Sequence, residues 1–79
     1  MNPFNSTLYF DINLVKSGKV FAELVNQFGK TIRAKTLDGK EGNNQFFFEN
    51  TSDLVPGIYV LKVEMNGMFI YRKVIKTNS

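Results

Sequence analysis

Ile58-Tyr59-Val60-Leu61-Lys62-Val63-Glu64-Met65-Asn66-Gly67-Met68-Phe69-Ile70-Tyr71-Arg72-Lys73-Val74-Ile75-Lys76 is the stretch that decides the fold. Asn-Gly between two runs rich in β-branched and aromatic residues is the strongest short hairpin signal, because both central residues of the favoured turn need positive φ. A two-residue loop pairs Met65 with Met68, Val63 with Ile70, Leu61 with Arg72 and Tyr59 with Val74, and residues opposite one another share a face. One face then holds Tyr59, Leu61, Val63, Met65, Met68, Ile70, Arg72 and Val74; nearly all apolar, it is expected to meet the core. The other holds Ile58, Val60, Lys62, Glu64, Phe69, Tyr71, Lys73 and Ile75, with more apolar surface than solubility asks for.

The same period of two recurs upstream. In Thr7-Leu8-Tyr9-Phe10-Asp11-Ile12-Asn13-Leu14 the even positions are large and apolar, which reads as a half-buried strand. Ser17-Gly18 marks a turn, and Lys19 to Val25 follows as a strand with Val20, Ala22 and Leu24 on one face and Phe21 and Val25 on the other. Gly29 interrupts, and Lys30 to Lys35 resumes the alternation. Asp38-Gly39-Lys40-Glu41-Gly42-Asn43-Asn44 is dense in turn formers and is expected as a surface loop. Gln45-Phe46-Phe47-Phe48-Glu49 is a short strand, expected to send Phe46 and Phe48 inward. Asn50 to Gly57 is a connection in which Pro56-Gly57 favours a tight turn. Six or seven short strands at intervals of about 8 to 12 residues, with no helical period, predict an all-β, immunoglobulin-like antiparallel β-sandwich; a small closed barrel is the alternative.

At 79 residues the chain is expected to form one domain (residues 1–79), near the size at which a hydrophobic core alone suffices. It has no cysteine and no histidine, so burial of its apolar residues, 43% of the chain, must hold it together. Zinc and copper chemistry and Ser-His or Cys-His nucleophiles are excluded. The acids, Asp11, Glu23, Asp38, Glu41, Glu49, Asp53 and Glu64, are single and scattered; no phosphate-binding glycine motif occurs. The chain is expected to be no enzyme and to need no cofactor. A net charge of +3 with no more than two adjacent basic residues, Arg72-Lys73, argues against a nucleic-acid footprint. No apolar run approaches the about 20 residues of a membrane span. The opening Met1-Asn2-Pro3-Phe4-Asn5 lacks the basic and apolar regions of a signal peptide, and the natural protein is expected to continue upstream.

Asn2-Pro3-Phe4 at the start, Ser17-Gly18-Lys19-Val20 before the second strand, Leu24-Val25-Asn26-Gln27-Phe28-Gly29-Lys30 after it, Leu54-Val55-Pro56-Gly57-Ile58-Tyr59-Val60-Leu61, and the closing Lys73-Val74-Ile75-Lys76 follow one another in the order of a known family. The chain resembles the type A C-terminal sorting domain of the type IX (Por) secretion system of Bacteroidetes. That family typically reads Pro-Asn-Pro-Phe, then Tyr-Asp-x-x-Gly-Arg, then Leu-x-x-Gly-x-Tyr, then Lys before β-branched residues. Asn26 stands where the family often has Asp, Lys30 where it often has Arg, and Met1 where it has a Tyr-Pro lead. The resemblance implies a secretion signal at the end of a larger exported cargo protein, read by an outer-membrane translocon and a shuttle protein. A surface sortase then typically cleaves it off, so the passage runs through the periplasm to the cell surface or beyond. The residues carrying the motif also have structural reasons to be there: Gly29 for a positive-φ turn, Pro56 and Gly57 for a turn, Tyr59 for the core with its hydroxyl on a backbone partner, and Asn2-Pro3 for an extended lead-in to the first strand.

The recognition surface is expected on the terminal strand and the mixed face of the last hairpin, around Phe69, Tyr71 and Lys73. If the last strand lies at a sheet margin it can also pair with a partner strand, giving an edge-paired or swapped dimer. The rival reading is an accessory module of an extracellular protein, a spacer or a carbohydrate binder using Phe69 and Tyr71 as a platform.

Overall fold

A computed structural model describes residues 2–78. Alternation becomes seven strands: β1 (Asn2–Phe4), β2 (Thr7–Leu14), β3 (Gly18–Val25), β4 (Thr31–Gly39), β5 (Gly42–Glu49), β6 (Gly57–Met65) and β7 (Met68–Lys76). They form a five-stranded sheet ordered β1-β7-β6-β3-β4 and a two-stranded sheet of β2 and β5. β3–β4, β3–β6, β6–β7 and β2–β5 are antiparallel, whereas β1 runs parallel along β7. A central sheet of this order, opposed by two strands that are not neighbours in sequence, is an immunoglobulin-like sandwich reduced to few strands. The sandwich is the fold expected, and its alternative, the small closed barrel, is not formed. The one parallel pairing departs from the purely antiparallel expectation, and it adds a strand where the sequence suggested only an extended lead-in.

The last hairpin has the register read from its turn, with Met65 opposite Met68, Val63 opposite Ile70, Leu61 opposite Arg72 and Tyr59 opposite Val74. Asn66 and Gly67 both hold positive φ, 48° and 76°. The inner faces close over Leu8, Phe10, Ile12 and Leu14 of β2, Val20, Ala22 and Leu24 of β3, Phe48 of β5, Leu61 and Val63 of β6, and Val74 of β7, all buried. Phe10 stacks on Phe48 at 5.8 Å between centroids, and Phe46 packs beside it, so the inward pair of the triple phenylalanine is the expected one.

Three residues assigned to the core face by alternation are not fully buried. Met68 is 61% exposed, and Ile70 and Arg72 are half-buried. Their side chains do sit on the inner face, but two strands cannot roof five, and the hairpin's outer half extends beyond the smaller sheet. Arg72 uses this gap: its guanidinium donates to the Asp11 carbonyl of β2 at 3.1 Å. On the opposite flank Lys35 of β4 donates to the Phe47 carbonyl of β5 at 2.6 Å. Each strand of the smaller sheet therefore receives a basic side chain from the larger one at the rim of the sandwich.

The stretch Asp38 to Asn44, expected as a loop, is mostly strand: β4 runs on to Gly39 and β5 starts at Gly42, leaving two residues between them. The reversal is held from inside β5. Buried Asn44 accepts from the Lys40 N–H and donates to the carbonyls of Lys40, Gly42 and Ile12, doing in side-chain form what a longer loop would leave to water. The hydrogen-bonded turn in the next connection is also displaced from the expected Pro56-Gly57. It falls at Thr51–Leu54, where the Leu54 N–H donates to Thr51 O, and Pro56 is a bend leading into β6.

The ends of the chain are tied together. Thr77 donates its N–H to Phe4 O at 2.8 Å, and wholly buried Thr51 donates its N–H to Ser6 O and its hydroxyl to Asn5 O. Buried Lys76 donates its ammonium to Asn5 Oδ1 and Thr77 O. Phe4 lies under this knot, edge-on to Tyr59 at 6.2 Å, and the Tyr59 hydroxyl donates to the Val55 carbonyl four residues upstream, a tyrosine corner. Phe4→Ala is expected to cost about 3–5 kcal/mol, most of the stability of a chain this small, and to lower the melting midpoint in a circular-dichroism melt by about 15 °C or more. Tyr59→Phe keeps the ring and loses one hydrogen bond; its expected cost is about 0.5–1.5 kcal/mol, read as a smaller shift in the same melt.

Candidate recognition surface

The residues of the sequence motif divide between one end of the sandwich and one face of it. At the end, the β3–β4 and β5–β6 connections converge. Asn26 shapes the first: its side-chain oxygen accepts the N–H groups of Phe28 and Lys30 at 2.9 and 3.0 Å, and Gly29 takes φ 81° to close the turn. An aspartate at this position offers an oxygen in the same place, so Asn26 preserves the turn. The second connection carries Leu54, Pro56 and Gly57 into Tyr59. Between the two lies an apolar cleft of about 280 Å³ lined by Phe28, Ile32, Leu54, Val55, Ile58 and Tyr59, among others. Phe28 at its mouth is 84% exposed; no local pattern around Gln27-Phe28-Gly29 signals that this ring stands out from the surface.

The closing motif is split by strand alternation. Val74 and Lys76 point inward and are buried, whereas Lys73 is exposed and Ile75 is half-buried on the outer face. Phe4 and Tyr59 are likewise interior, and Pro3 is exposed; Asn2 is described by its backbone alone, opposite Val74. Of the motif residues, Pro3, Gly29 and Pro56 are exposed at the strand ends and turns, and Phe69, Tyr71 and Lys73 are exposed on one face of the last strand, with Ile58 beside them.

The last four lie on the uncovered face of the five-stranded sheet. Its cross-strand rows run Phe69–Glu64–Phe21–Thr36 and Tyr71–Lys62–Glu23–Ala34. Phe69 and Tyr71 stack with centroids 6.4 Å apart and planes 19° from parallel, and the Lys62 ammonium lies 5.4 Å above the Phe69 ring. Phe21, the residue that blurred the register of its strand in the sequence, is half-exposed here and extends the aromatic patch across the sheet. The face thus joins three exposed rings, the aliphatic Ile58, and the cations of Lys62 and Lys73. Rings and long aliphatic stems offer area for burial against another protein, and lysines at the margin give orientation. Among the described residues no group of acids, histidines or cysteines is placed to hold a metal ion.

Comparison with known proteins agrees with this reading of the motifs. The family model described as the secretion system C-terminal sorting domain matches residues 2–77. Neither a curated protein nor a solved structure matches the chain. A match from the first described strand to the residue after the last, together with seven strands in two sheets, places the chain in the family of type IX secretion C-terminal sorting domains.

Proposed function

We propose that this domain directs a cargo protein across the outer membrane by the type IX secretion system, and that the machinery reads the uncovered face of the five-stranded sheet at Phe69, Tyr71 and Lys73. The observation that carries the reading is the family match over residues 2–77. The exposed aromatic pair beside the terminal motif narrows it to a face, since nothing in the packing of the sandwich requires those rings to be there. On this reading residues 1–79 act as one unit at the end of the cargo. The translocon and shuttle protein bind it, a surface sortase removes it, and the domain takes part in that reaction as substrate only.

Folding and reading are separable in this arrangement, because alternation puts them on opposite sides of the same strands. Removing Lys73 to Ser79 from a cargo is expected to trap it in the periplasm, but the deletion also takes away Val74 and the part of β7 that β1 pairs with. The sharper test is Phe69→Ser together with Tyr71→Ser. Its melting midpoint is expected within about 4 °C of the parent, while delivery to the cell surface falls about tenfold or more, as for loss of an aromatic anchor. Normal surface delivery by this variant would move the reading site off this face. Residues 2–79 fused behind a fluorescent reporter with its own signal peptide are expected to bring the reporter to the surface in a type IX-competent bacterium, and to leave it in the periplasm when the translocon is deleted.

A further inference from the structure

We infer that the outer face of the smaller sheet binds a neutral, linear glycan of equatorially linked hexoses, laid along β2 and β5 over the rings of Tyr9 and Phe47. The inference does not rest on the secretion reading. It also lies on the opposite side of the sandwich from Phe69 and Tyr71, the pair the sequence offered as a sugar platform.

The face is built by register. β2 and β5 pair without a bulge from Thr7–Glu49 to Leu14–Gly42, so alternation delivers the odd-numbered residues of both strands to the outer side. The rows run Thr7–Glu49, Tyr9–Phe47, Asp11–Gln45 and Asn13–Asn43. Tyr9 is 59% exposed, and its ring centroid lies 5.8 Å from that of Phe47 with the planes tilted by 50°. The Lys35 ammonium stands 4.4 Å from the Phe47 centroid and donates to the Phe47 carbonyl, which holds that ring from the β4 side. Rows repeat about every 7 Å, so the strip is about 20 Å long and only two strands wide.

A cross-strand aromatic pair stabilises two paired strands whether or not anything binds to it. The polar rows beside it have no such task. The side chains of Asn26 and Asn44 are consumed by their turns, whereas those of Asp11, Asn13, Asn43 and Gln45 make no hydrogen bond or ion pair among the described residues. Three amides and a carboxylate, exposed on the same side as the rings, offer both donors and acceptors. The negative face of an aromatic ring attracts polarised C–H groups. A hexose stacked on Tyr9 by its C–H face directs its equatorial hydroxyls sideways, toward the amide rows. Equatorial linkage keeps successive C–H faces along one flat ribbon, the shape of this strip.

Charge and composition select the occupant. An anionic ligand would meet Asp11 and Glu49, and the nearby Lys35 is already engaged with the Phe47 carbonyl. A protein partner finds no aliphatic side chain in the four rows, and acids are among the groups that interface cores leave out. The Phe69–Tyr71 face differs on both counts, with Ile58, Lys62 and Lys73 around its rings. A neutral, hydroxyl-rich chain is what the smaller sheet fits.

The test is an NMR titration of the 79-residue chain with cellohexaose, a neutral linear oligomer of equatorially linked glucose. The backbone amides of Tyr9, Asp11, Gln45 and Phe47 are expected to shift with a Kd between about 10 µM and about 1 mM, as for an open site with few anchors. Maltohexaose, whose axial linkages curl the chain, is expected to bind at least about fivefold more weakly. Tyr9→Val keeps a β-branched residue in the strand and removes the platform, so binding is expected to fall about tenfold or more, while Tyr9→Phe stays within about threefold of the parent. Asn43→Ala with Gln45→Ala removes only solvent-facing amides and is expected to weaken binding about threefold or more, which decides the matter even if Tyr9→Val unfolds. No shift at about 10 mM cellohexaose, shifts centred on Phe69 and Tyr71, equal binding of maltohexaose, or parental affinity in a folded Tyr9→Val or in the double amide variant would each overturn the proposal.

Discussion

Two strands must roof five, and much of this molecule follows from that mismatch. A sandwich with equal sheets buries one face of each. Here β2 and β5 supply Leu8, Phe10, Ile12, Leu14 and Phe48 to cover the middle of the larger sheet, and the flanks are left to other means. The means are basic side chains. Arg72 and Lys35 lie across the two rims and donate to carbonyls of β2 and β5, joining the sheets where apolar contact gives out. Such residues cover surface with their stems and keep their charge at the water boundary. Both contribute to the net basic charge of the chain.

A small sandwich without disulfides needs another way to stop its terminal strands from fraying. β1 supplies it at low cost in length. Three residues laid parallel to β7 bring Phe4 into the core, and the carbonyls that follow are taken up by Thr51 and Thr77 while Lys76 reaches Asn5. A buried ammonium is costly unless it is hydrogen-bonded, so Lys76 ties the last strand to the first with a directional demand that an apolar residue would not make. The knot joins both ends of the chain and the β5–β6 connection, three segments distant in sequence. It closes only when both sheets are in place.

Strand content, register and the inward set were legible because they rest on period two and on one diagnostic turn. Asn66-Gly67 specified the pairing of eighteen residues, and alternation separated Phe46 and Phe48 from Phe47. What was not legible depends on the number of strands opposite, which no local pattern encodes. Met68 and Arg72 have the periodicity of core residues and miss the core because they lie at the limit of the smaller sheet: Met68 stands exposed, and Arg72 reaches only the Asp11 carbonyl at its rim. Asp38 to Asn44 looks like a loop by composition, since Gly, Asn and Asp favour turns whether a reversal takes seven residues or two; only the placement of the Asn44 side chain decides it. β1 was invisible as a strand because three residues carry no period. The candidate surface was legible as a face, through its surplus of apolar residues, but its extension to Phe21 required knowing that β3 lies beside β6.

Alternation also bears on what a sorting motif is. In Lys73-Val74-Ile75-Lys76 neighbouring residues answer to different constraints: Val74 and Lys76 to the core and the terminal knot, Lys73 and Ile75 to the outer face. A linear motif at the end of a chain invites the idea of a peptide read in extended form, residue by residue. This one, folded, offers a partner only alternate residues, and the interior half sets where the outer half stands. The same holds for Leu54-Val55-Pro56-Gly57-Ile58-Tyr59, whose buried Tyr59 fixes the connection that carries exposed Val55 and Ile58. A machine that contacts only the outer residues thereby tests the whole domain. The spacing of Phe69, Tyr71, Lys73 and Ile58 exists only when β6 and β7 are paired and their inner faces packed, so a chain that presents them has already folded.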